Sequence, residues 1–336
     1  MAIVPLTNNI LKKFIRTIKW FFSRINQYKA VYITEKVRPV RASLFSSYVK
    51  DYSDDVAILM QGPIIEDDNF TFETIKLYRR NFPNSFLVLS TWNNQFVHNS
   101  FIKDNNIIVV KGLPYQGSKG YGSTNFQIIG NQNGIKRINE IGVKYTLKTR
   151  TDQRFYNEDL LLLLKDNIEL FPLNNILCTN QNKRLIGMSF DTFLYRLYGL
   201  SDMFLFGDSS DVASYLNCNL DNRDFSNYIL DNETQRKYSL ENICEVYFMT
   251  EFLKRKGVII DWSLEQSWRE FAERFIILDS YSLGFFWPKY SYIEDRWRNF
   301  KCDEQNLEMT YSKWLRLLNN SYKINESILD LPLKVN

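Results

Sequence analysis

The chain has 336 residues, 45% of them hydrophobic, which supplies a core for one large α/β domain or two modest ones and argues against disorder. Its net charge of +4 is too small to imply a nucleic-acid partner. His98 is the sole histidine, which excludes a multi-histidine metal site, and the wide spacing of Cys178, Cys218, Cys244 and Cys302 speaks against a zinc cluster and for a reducing compartment such as a cytoplasm.

Chemistry must then rest mainly on carboxylates, Lys, Arg, Tyr and backbone groups. Residues 8–25 come first in the chain. Leu11, Phe14, Ile15, Ile18, Phe22 and Ile25 fall at helical spacing, with Lys12, Lys13, Arg16, Lys19 and Arg24 between them. The basic residues interrupt every apolar run, so the segment reads neither as a signal peptide nor as a membrane span. A basic amphipathic helix of this kind either lies on an anionic membrane surface or packs its apolar face on the main domain. Residues 31–50 read as a linker.

The apolar run Asp55–Met60 reads as a buried strand that ends in Gln61-Gly62-Pro63, a tight turn where backbone can approach a ligand. Thr71–Arg80 reads as a helix stopped by Phe82-Pro83, and Ser85–Leu89 as a second buried strand running into Ser90-Thr91-Trp92. Strand, helix and strand, each strand ending in a polar turn, make half of a nucleotide-binding α/β domain. No GxGxxG follows either strand, which argues against the usual dinucleotide fold.

Asn106–Val110 is a third strand, followed by the glycine-rich stretch Gly112–Asn125, which lacks a P-loop ending and reads as a lid or a surface loop. A helix over Gln132–Gly142 leads to Val143–Arg154. There Val143, Tyr145 and Leu147 alternate with Lys144, Thr146 and Lys148 as in a strand. That strand runs into Arg150, Asp152 and Arg154, one carboxylate between two guanidiniums, at the edge where open α/β sheets bind ligands. The cluster suits a phosphorylated ligand, held through a bridging metal or by direct pairing; the structural alternative is a loop in which Asp152 pairs with its own arginines.

Further on, Asn157–Lys165 reads as a helix and Leu185–Ser189 as a strand. Asp202–Phe206 is a stronger strand, leading to Gly207-Asp208 and to Asp211 as the cap of a short helix. Residues 221–236 read as a loop and Leu240–Gly257 as one long helix. The tail from Trp297 is helical in part.

The order of motifs resembles the WavE-type lipopolysaccharide synthesis proteins, a bacterial family read as glycosyltransferases. The resemblance rests on Ile58–Ile64, Glu73-Thr-Ile75, Phe82-Pro83, Leu89–Trp92, Asn131-Gln132, Lys148–Arg154, Ser201-Asp202 with Phe206-Gly207, and Lys289-Tyr290. It covers roughly residues 55–290. It implies an α/β, GT-A-like single domain with a mostly parallel central sheet flanked by helices. Residues 51–295 form that domain, 1–50 an amphipathic helix and linker, and 296–336 a helical extension.

By this resemblance a nucleotide-sugar donor lies over the carboxyl edge of the sheet, with Asp152 at the place of the metal-binding acidic motif and Mg²⁺ or Mn²⁺ on the diphosphate. The motif here departs from Asp-x-Asp, which leaves metal use open, because one carboxylate is a thin anchor for such an ion. Arg150 and Arg154 are the alternative carriers of positive charge. Gln61, Gly62, Pro63, Thr91 and Trp92 are expected to line the base and ribose. Asp202 is the first choice for the base that takes the acceptor's proton, with Asp208 and then Asp211 as rivals. Glu245 and Lys289 are expected to contact the acceptor or a phosphate.

The expected activity is transfer of a sugar to a growing cell-surface glycan, be it lipopolysaccharide core, O-antigen or capsule. It would take place in the cytoplasm or on the cytoplasmic face of the inner membrane, with residues 10–25 as the membrane contact. The competing reading is an inactive nucleotide-sugar or carbohydrate-binding protein of the same fold. A nucleotidyltransferase is disfavoured, because Gln-Gly-Pro-Ile stands where such enzymes carry a basic glycine-rich loop.

Overall fold

The computed structural model describes residues 53–174, 180–223, 234–241, 243–290 and 307–332, with 13, 14, 16–18, 20, 21, 24, 41 and 51. The chain falls into two compact units, Met1–Pro39 and Val40–Asn336. In the first, the residues described between 13 and 24 are helical, and Phe14, Trp20 and Phe21 are exposed.

The second unit is built on a seven-stranded sheet. Its strands are β1 (Val56–Gln61), β2 (Phe86–Trp92), β3 (Ile107–Gly112), β4 (Tyr145–Arg150), β6 (Leu185–Met188), β7 (Leu205–Asp208) and β8 (Phe275–Leu278), in the order β3-β2-β1-β4-β7-β6-β8. Neighbours run parallel except at β7, which is antiparallel to both β4 and β6. The expected mostly parallel central sheet flanked by helices is present. A separate ribbon joins β5 (Arg154–Phe155) to β9 (Phe285–Phe286).

Helices α1 (Phe70–Asn81) and α3 (Thr124–Ile141) cover opposite faces of the sheet centre. β1 is buried along its whole length, as a continuous apolar run requires when helices lie on both sides. On the α3 face, a Cβ on Gly130 would come within 2.7 Å of the Gln61 amide, so this glycine lets the helix sit directly on the strand end. On the α1 face, the Tyr78 hydroxyl accepts from Phe155 N at 3.1 Å and packs beside Thr149. β4 therefore sends Tyr145, Leu147 and Thr149 to the α1 face of the sheet, and Thr146, Lys148 and Arg150 to the opposite face.

The remaining helices are α2 (Asn99–Asp104), α4 (Leu160–Leu170), α5 (Ser209–Leu216), α6 (Gln235–Leu240), α7 (Cys244–Arg255), α8 (Leu264–Arg274) and α9 (Tyr311–Leu318). The C-terminal segment is woven into this unit. Leu194 N and Met309 N donate across to Leu307 O and Thr192 O at 2.8 Å. Trp314 is fully buried and donates to Phe271 O at 3.1 Å.

Three local expectations are corrected. The strand expected at Asp202–Phe206 begins only at Leu205, so Asp202 sits in the turn before it. The cap of the following helix is Asp208, not Asp211; its carboxylate accepts from Ser210 N at 3.0 Å. The long helix expected over Leu240–Gly257 is two helices, because Ile243 between them is extended and buries its side chain in the core. Much of the loop expected over 221–236 lies outside the described residues; Gln235 and Arg236 open α6.

Candidate active site

The carboxyl ends of β1, β2, β4 and β6 converge on one edge, and the polar turns that follow them build the site. β7 runs the other way, so its first residues, not its last, reach this edge. Asp202, in the turn that enters β7, is brought to it. Asp208, at the far end of β7, is not: it pairs with Tyr145 at the amino end of β4. There its carboxylate accepts from Ser210 and from Asn182 Nδ2 at 3.1 Å. Asp211 is buried on the same side and accepts from Asn182 N and Lys183 N at 2.8 and 3.0 Å. One reversed strand thus separates the carboxylates that the sequence presents as rivals.

At the end of β1, Gly62 has φ +133° and donates to Ser90 O at 3.0 Å. A Cβ there would meet Thr151 Oγ1 at 2.7 Å. Thr151 secures this turn to β4: its Oγ1 donates to Pro63 O at 2.6 Å and its N to Gln61 O at 3.2 Å. Gln61 is buried and Pro63 is exposed. Thr91 bonds to Gln95 Oε1, which also accepts from Ile64 N at 2.9 Å. Trp92 packs edge-on against Phe126 at 5.9 Å and is half-buried. The glycine-rich loop ahead of α3 is tied down at its base by Asn125, whose Nδ2 donates to Ser118 O and Asp221 O at 2.8 and 2.7 Å.

After β4 the chain presents Arg150 and Asp152 as a two-point ion pair, Nε to Oδ1 and Nη2 to Oδ2, each at 3.0 Å. Trp287 Nε1 donates to Asp152 Oδ2 at 3.0 Å, and the Arg150 guanidinium lies 5.3 Å from the Trp287 ring centroid. Pairing of β5 with β9 sets Arg154 opposite Phe286, which carries Trp287 back to the turn holding Asp152. Lys289 follows on a short 3₁₀ turn, its Nζ 6.0 Å from the same ring.

Arg154 is placed elsewhere. It is fully buried against α1, donating to Thr74 Oγ1 at 2.8 Å, Phe70 O at 3.0 Å and Tyr156 OH at 3.0 Å. The guanidinium sits 4.3 Å from the Phe70 ring centroid. Of the two arginines flanking Asp152, only Arg150 is at the edge; the reversal of the chain into β5 turns Arg154 to the α1 face.

Beside Arg150, β4 carries Lys148, 1% exposed, whose Nζ donates to Asp202 O. Asp202 Oδ2 accepts from Gln127 Nε2 and from the Cys244 thiol, the latter at 3.3 Å. Its Oδ1 has no hydrogen-bond partner among the described residues, and Asp202 is half-buried. Glu245, in the first turn of α7, lies beside Asp191, and Asp191 pairs with Arg196 Nη1 at 3.3 Å. Phe190, next to Asp191, meets Trp287 edge-on at 6.1 Å and joins the two halves of the site.

The electrostatics sort these groups. Burial pushes the Lys148 ammonium down to about 8, against the pull of Asp202. Burial alone would lower Arg150, but Asp152 and Asp202 outweigh it and raise its pKa. Burial, reinforced by Asp191 and Asp202, holds the Glu245 carboxyl well above the usual range. Burial likewise keeps the Cys244 thiol protonated, a donor rather than a nucleophile.

The metal implied by the family resemblance does not fit these side chains. Both oxygens of Asp152 are taken by Arg150 and Trp287, so an incoming cation would meet a guanidinium. No group of three or more His, Cys, Asp or Glu among the described residues is arranged to hold an ion. A cavity of about 580 Å³ between α3 and α5, lined by Lys136, Ser210, Asn217 and Arg255 among others, includes none of the side chains of this edge.

Sequence reading passed over Lys148, Asp191, Arg196, Gln127, Cys244 and Trp287. Asp191 carried a usable signal, a polar residue just after a strand. Lys148 misled, because alternation reads a strand lysine as solvent-facing, whereas β4 is covered on both faces.

A protein assigned as a nucleotide-diphospho-sugar transferase from Desulfovibrio desulfuricans G20 shares 9% identity, over 80% of this chain and 98% of its own, at a TM-score of 0.37. A cytidylyltransferase from Leptospira borgpetersenii serovar Hardjo-bovis shares 14% identity, over 60% of this chain and 95% of its own, at 0.29. Similarity at these scores carries no argument about chemistry. No curated protein matches the sequence. The family model described as WavE lipopolysaccharide synthesis matches residues 56–330, which spans the whole sheet and every side chain of the edge described above. The chain belongs to the WavE lipopolysaccharide synthesis family.

Proposed function

We propose that this protein is a glycosyltransferase that moves a sugar from a nucleotide-sugar donor to a cell-surface glycan: lipopolysaccharide core, O-antigen or capsule. The observation that carries the reading is the split carboxylate of Asp202. One oxygen is anchored by Gln127 and Cys244; the other has no hydrogen-bond partner among the described residues, on a half-buried side chain at the same edge as Arg150. A base held through one oxygen and open at the other is arranged to take a proton. Arg150 uses Nε and Nη2 on Asp152 and keeps Nη1 for a ligand anion.

In this reading the donor's base and ribose lie along Gln61, Gly62, Pro63, Thr91 and Trp92. The diphosphate meets Arg150, with Lys289 beside it, and these cations stabilise the charge that builds on the departing nucleotide. The acceptor hydroxyl attacks the anomeric carbon, the bond to the diphosphate oxygen breaks, and the hydroxyl proton passes to Asp202. Glu245, beside Asp191, contacts the acceptor. Asp152 orients Arg150 and Trp287, and no step runs through a metal.

The test is release of free nucleotide by the purified protein from UDP-, GDP-, CMP- and dTDP-sugars. Turnover with one of them, lost in Asp202→Asn, supports the proposal. Tight binding without release under any condition favours the second reading, an inactive nucleotide-sugar-binding protein. The closed Arg150–Asp152 pair is the observation on that side.

Peripheral contact with the inner membrane, on its cytoplasmic face, is a further part of the proposal. It is supported by exposed Phe14, Trp20 and Phe21 beside Lys13, Arg16 and Arg24, on helical residues. No helix of the described residues is long and apolar enough to cross a membrane. Deleting residues 1–30 should move the protein from the membrane fraction to the soluble one; an unchanged partition removes this part.

A further inference from the structure

A lysine in the middle of a sheet covered on both faces calls for a reason. An ammonium there gives up its hydration, and an apolar side chain of similar length would pack without that cost. Lys148 is such a residue. It aligns with Leu59 of β1 and Leu205 of β7, both apolar and buried. The hydrogen bond it makes goes to the backbone carbonyl of Asp202, in the turn that reverses the chain into β7.

We infer that Lys148 is a positioning residue for Asp202. It holds the Asp202 backbone from beneath the site, while Gln127 from α3 and Cys244 from α7 hold Oδ2, so that Oδ1 keeps one orientation toward the acceptor. Three contacts from three elements, β4, α3 and α7, thereby fix one carboxylate. A turn held only by its own backbone could rotate that oxygen away, and a displacement of about 1 Å costs a reaction on the order of 100-fold. The charged and titratable groups around the ammonium are Asp202, Arg150, Cys244 and Asp152. The carboxylates favour its charge, Arg150 opposes it, and burial is the largest influence.

This inference rests on the assignment of Asp202 as the base, and the experiment separates the two. Nucleotide release is measured for wild type, Lys148→Met, Lys148→Arg and Asp202→Asn across pH 6 to 10, roughly the span in which a lysine lowered toward 8 would titrate. The donor is whichever of the UDP-, GDP-, CMP- and dTDP-sugars wild type turns over. Lys148→Met is expected to lower kcat by about 100-fold with donor KM little changed, because the donor does not touch Lys148. Wild type should lose activity on an alkaline limb near the lysine's lowered pKa. Lys148→Arg should restore part of kcat and lack that limb, since a guanidinium does not titrate there.

A folded Lys148→Met protein with wild-type kcat and an unchanged pH profile overturns the inference, provided Asp202→Asn is inactive. If Asp202→Asn is as active as wild type, or wild type turns over none of the donors, the proposed function fails and this inference falls with it. Should Lys148→Met not fold, Lys148→Arg decides: retention of the alkaline limb in that variant overturns the assignment.

Discussion

Arg150 and Asp152, two residues apart after β4, meet through two parallel contacts of 3.0 Å, and Trp287 closes on the same carboxylate from β9. Their side chains are 27% and 21% exposed, so the pair is neither a surface ion pair nor a sealed one. Such a carboxylate aims a guanidinium; it does not itself receive a phosphate.

Donor binding should therefore depend on Arg150 far more than on Asp152. Charge-assisted hydrogen bonds are worth roughly 1.5–3 kcal/mol, so Arg150→Ala should weaken nucleoside diphosphate binding by about 10- to 100-fold. Asp152→Asn should weaken it by only a few-fold, because a neutral acceptor still orients the arginine. Titration calorimetry with UDP, GDP, CDP and dTDP reads both. Addition of EDTA should leave these affinities unchanged; a large loss on chelation would restore Asp152 as a metal ligand.

Arg154→Met should act on stability and not on binding. The buried guanidinium donates to Thr74 Oγ1, the Phe70 carbonyl and Tyr156 OH, and methionine supplies none of these hydrogen bonds. A cost of about 3 kcal/mol is expected in urea unfolding. Nucleoside diphosphate affinity of the folded variant should match wild type. A binding defect without destabilisation would return Arg154 to the site.

Lys148 makes a pH prediction with a definite sign. Its pKa falls from 10.5 in the unfolded chain to about 8 in the fold. Between these values the unfolded chain holds a proton that the native state has lost, so stability rises with pH across that window. Relative to Lys148→Met, wild type should gain on the order of 3 kcal/mol from pH 8 to 10.5. Denaturant melts of both proteins along this range measure it, and a constant difference would show that the buried amine does not titrate there.

Gly62→Ala should harm the turn after β1 in two ways. The residue sits at φ +133°, and a Cβ would press on Thr151 Oγ1 at 2.7 Å. A loss of about 2 kcal/mol or more is expected, with weaker nucleotide binding because Pro63 and Thr151 are linked by a 2.6 Å hydrogen bond. Pairing Gly62→Ala with Thr151→Ala should leave only the backbone strain. If the double variant is no better than the single, the steric part of the argument is wrong.

The strand-helix-strand rhythm from Val56 to Arg150 was legible because those strands are short, apolar and each followed by a polar turn. That pattern locates the carboxyl edge from the chain alone, and Arg150 and Asp152 meet there as sequence neighbours. Helix boundaries near Asp208 and Ile243 were less legible: the first depends on which of two nearby acids reaches a free N–H, the second on burial of one isoleucine.

The sequence by itself determined the α/β class and set Arg150, Asp152 and Arg154 after the end of a strand, because each follows from local periodicity and short spacing. Only the tertiary structure decided which acids share the carboxyl edge. A single antiparallel strand carries Asp202 to it and Asp208 away. Pairing of β5 with β9 delivers Trp287 to Asp152 across 135 residues. The turn that enters β7 lays Asp202 over the buried Lys148. Strand direction and long-range pairing minimise the free energy of the whole chain, and neither is written into any short stretch of it.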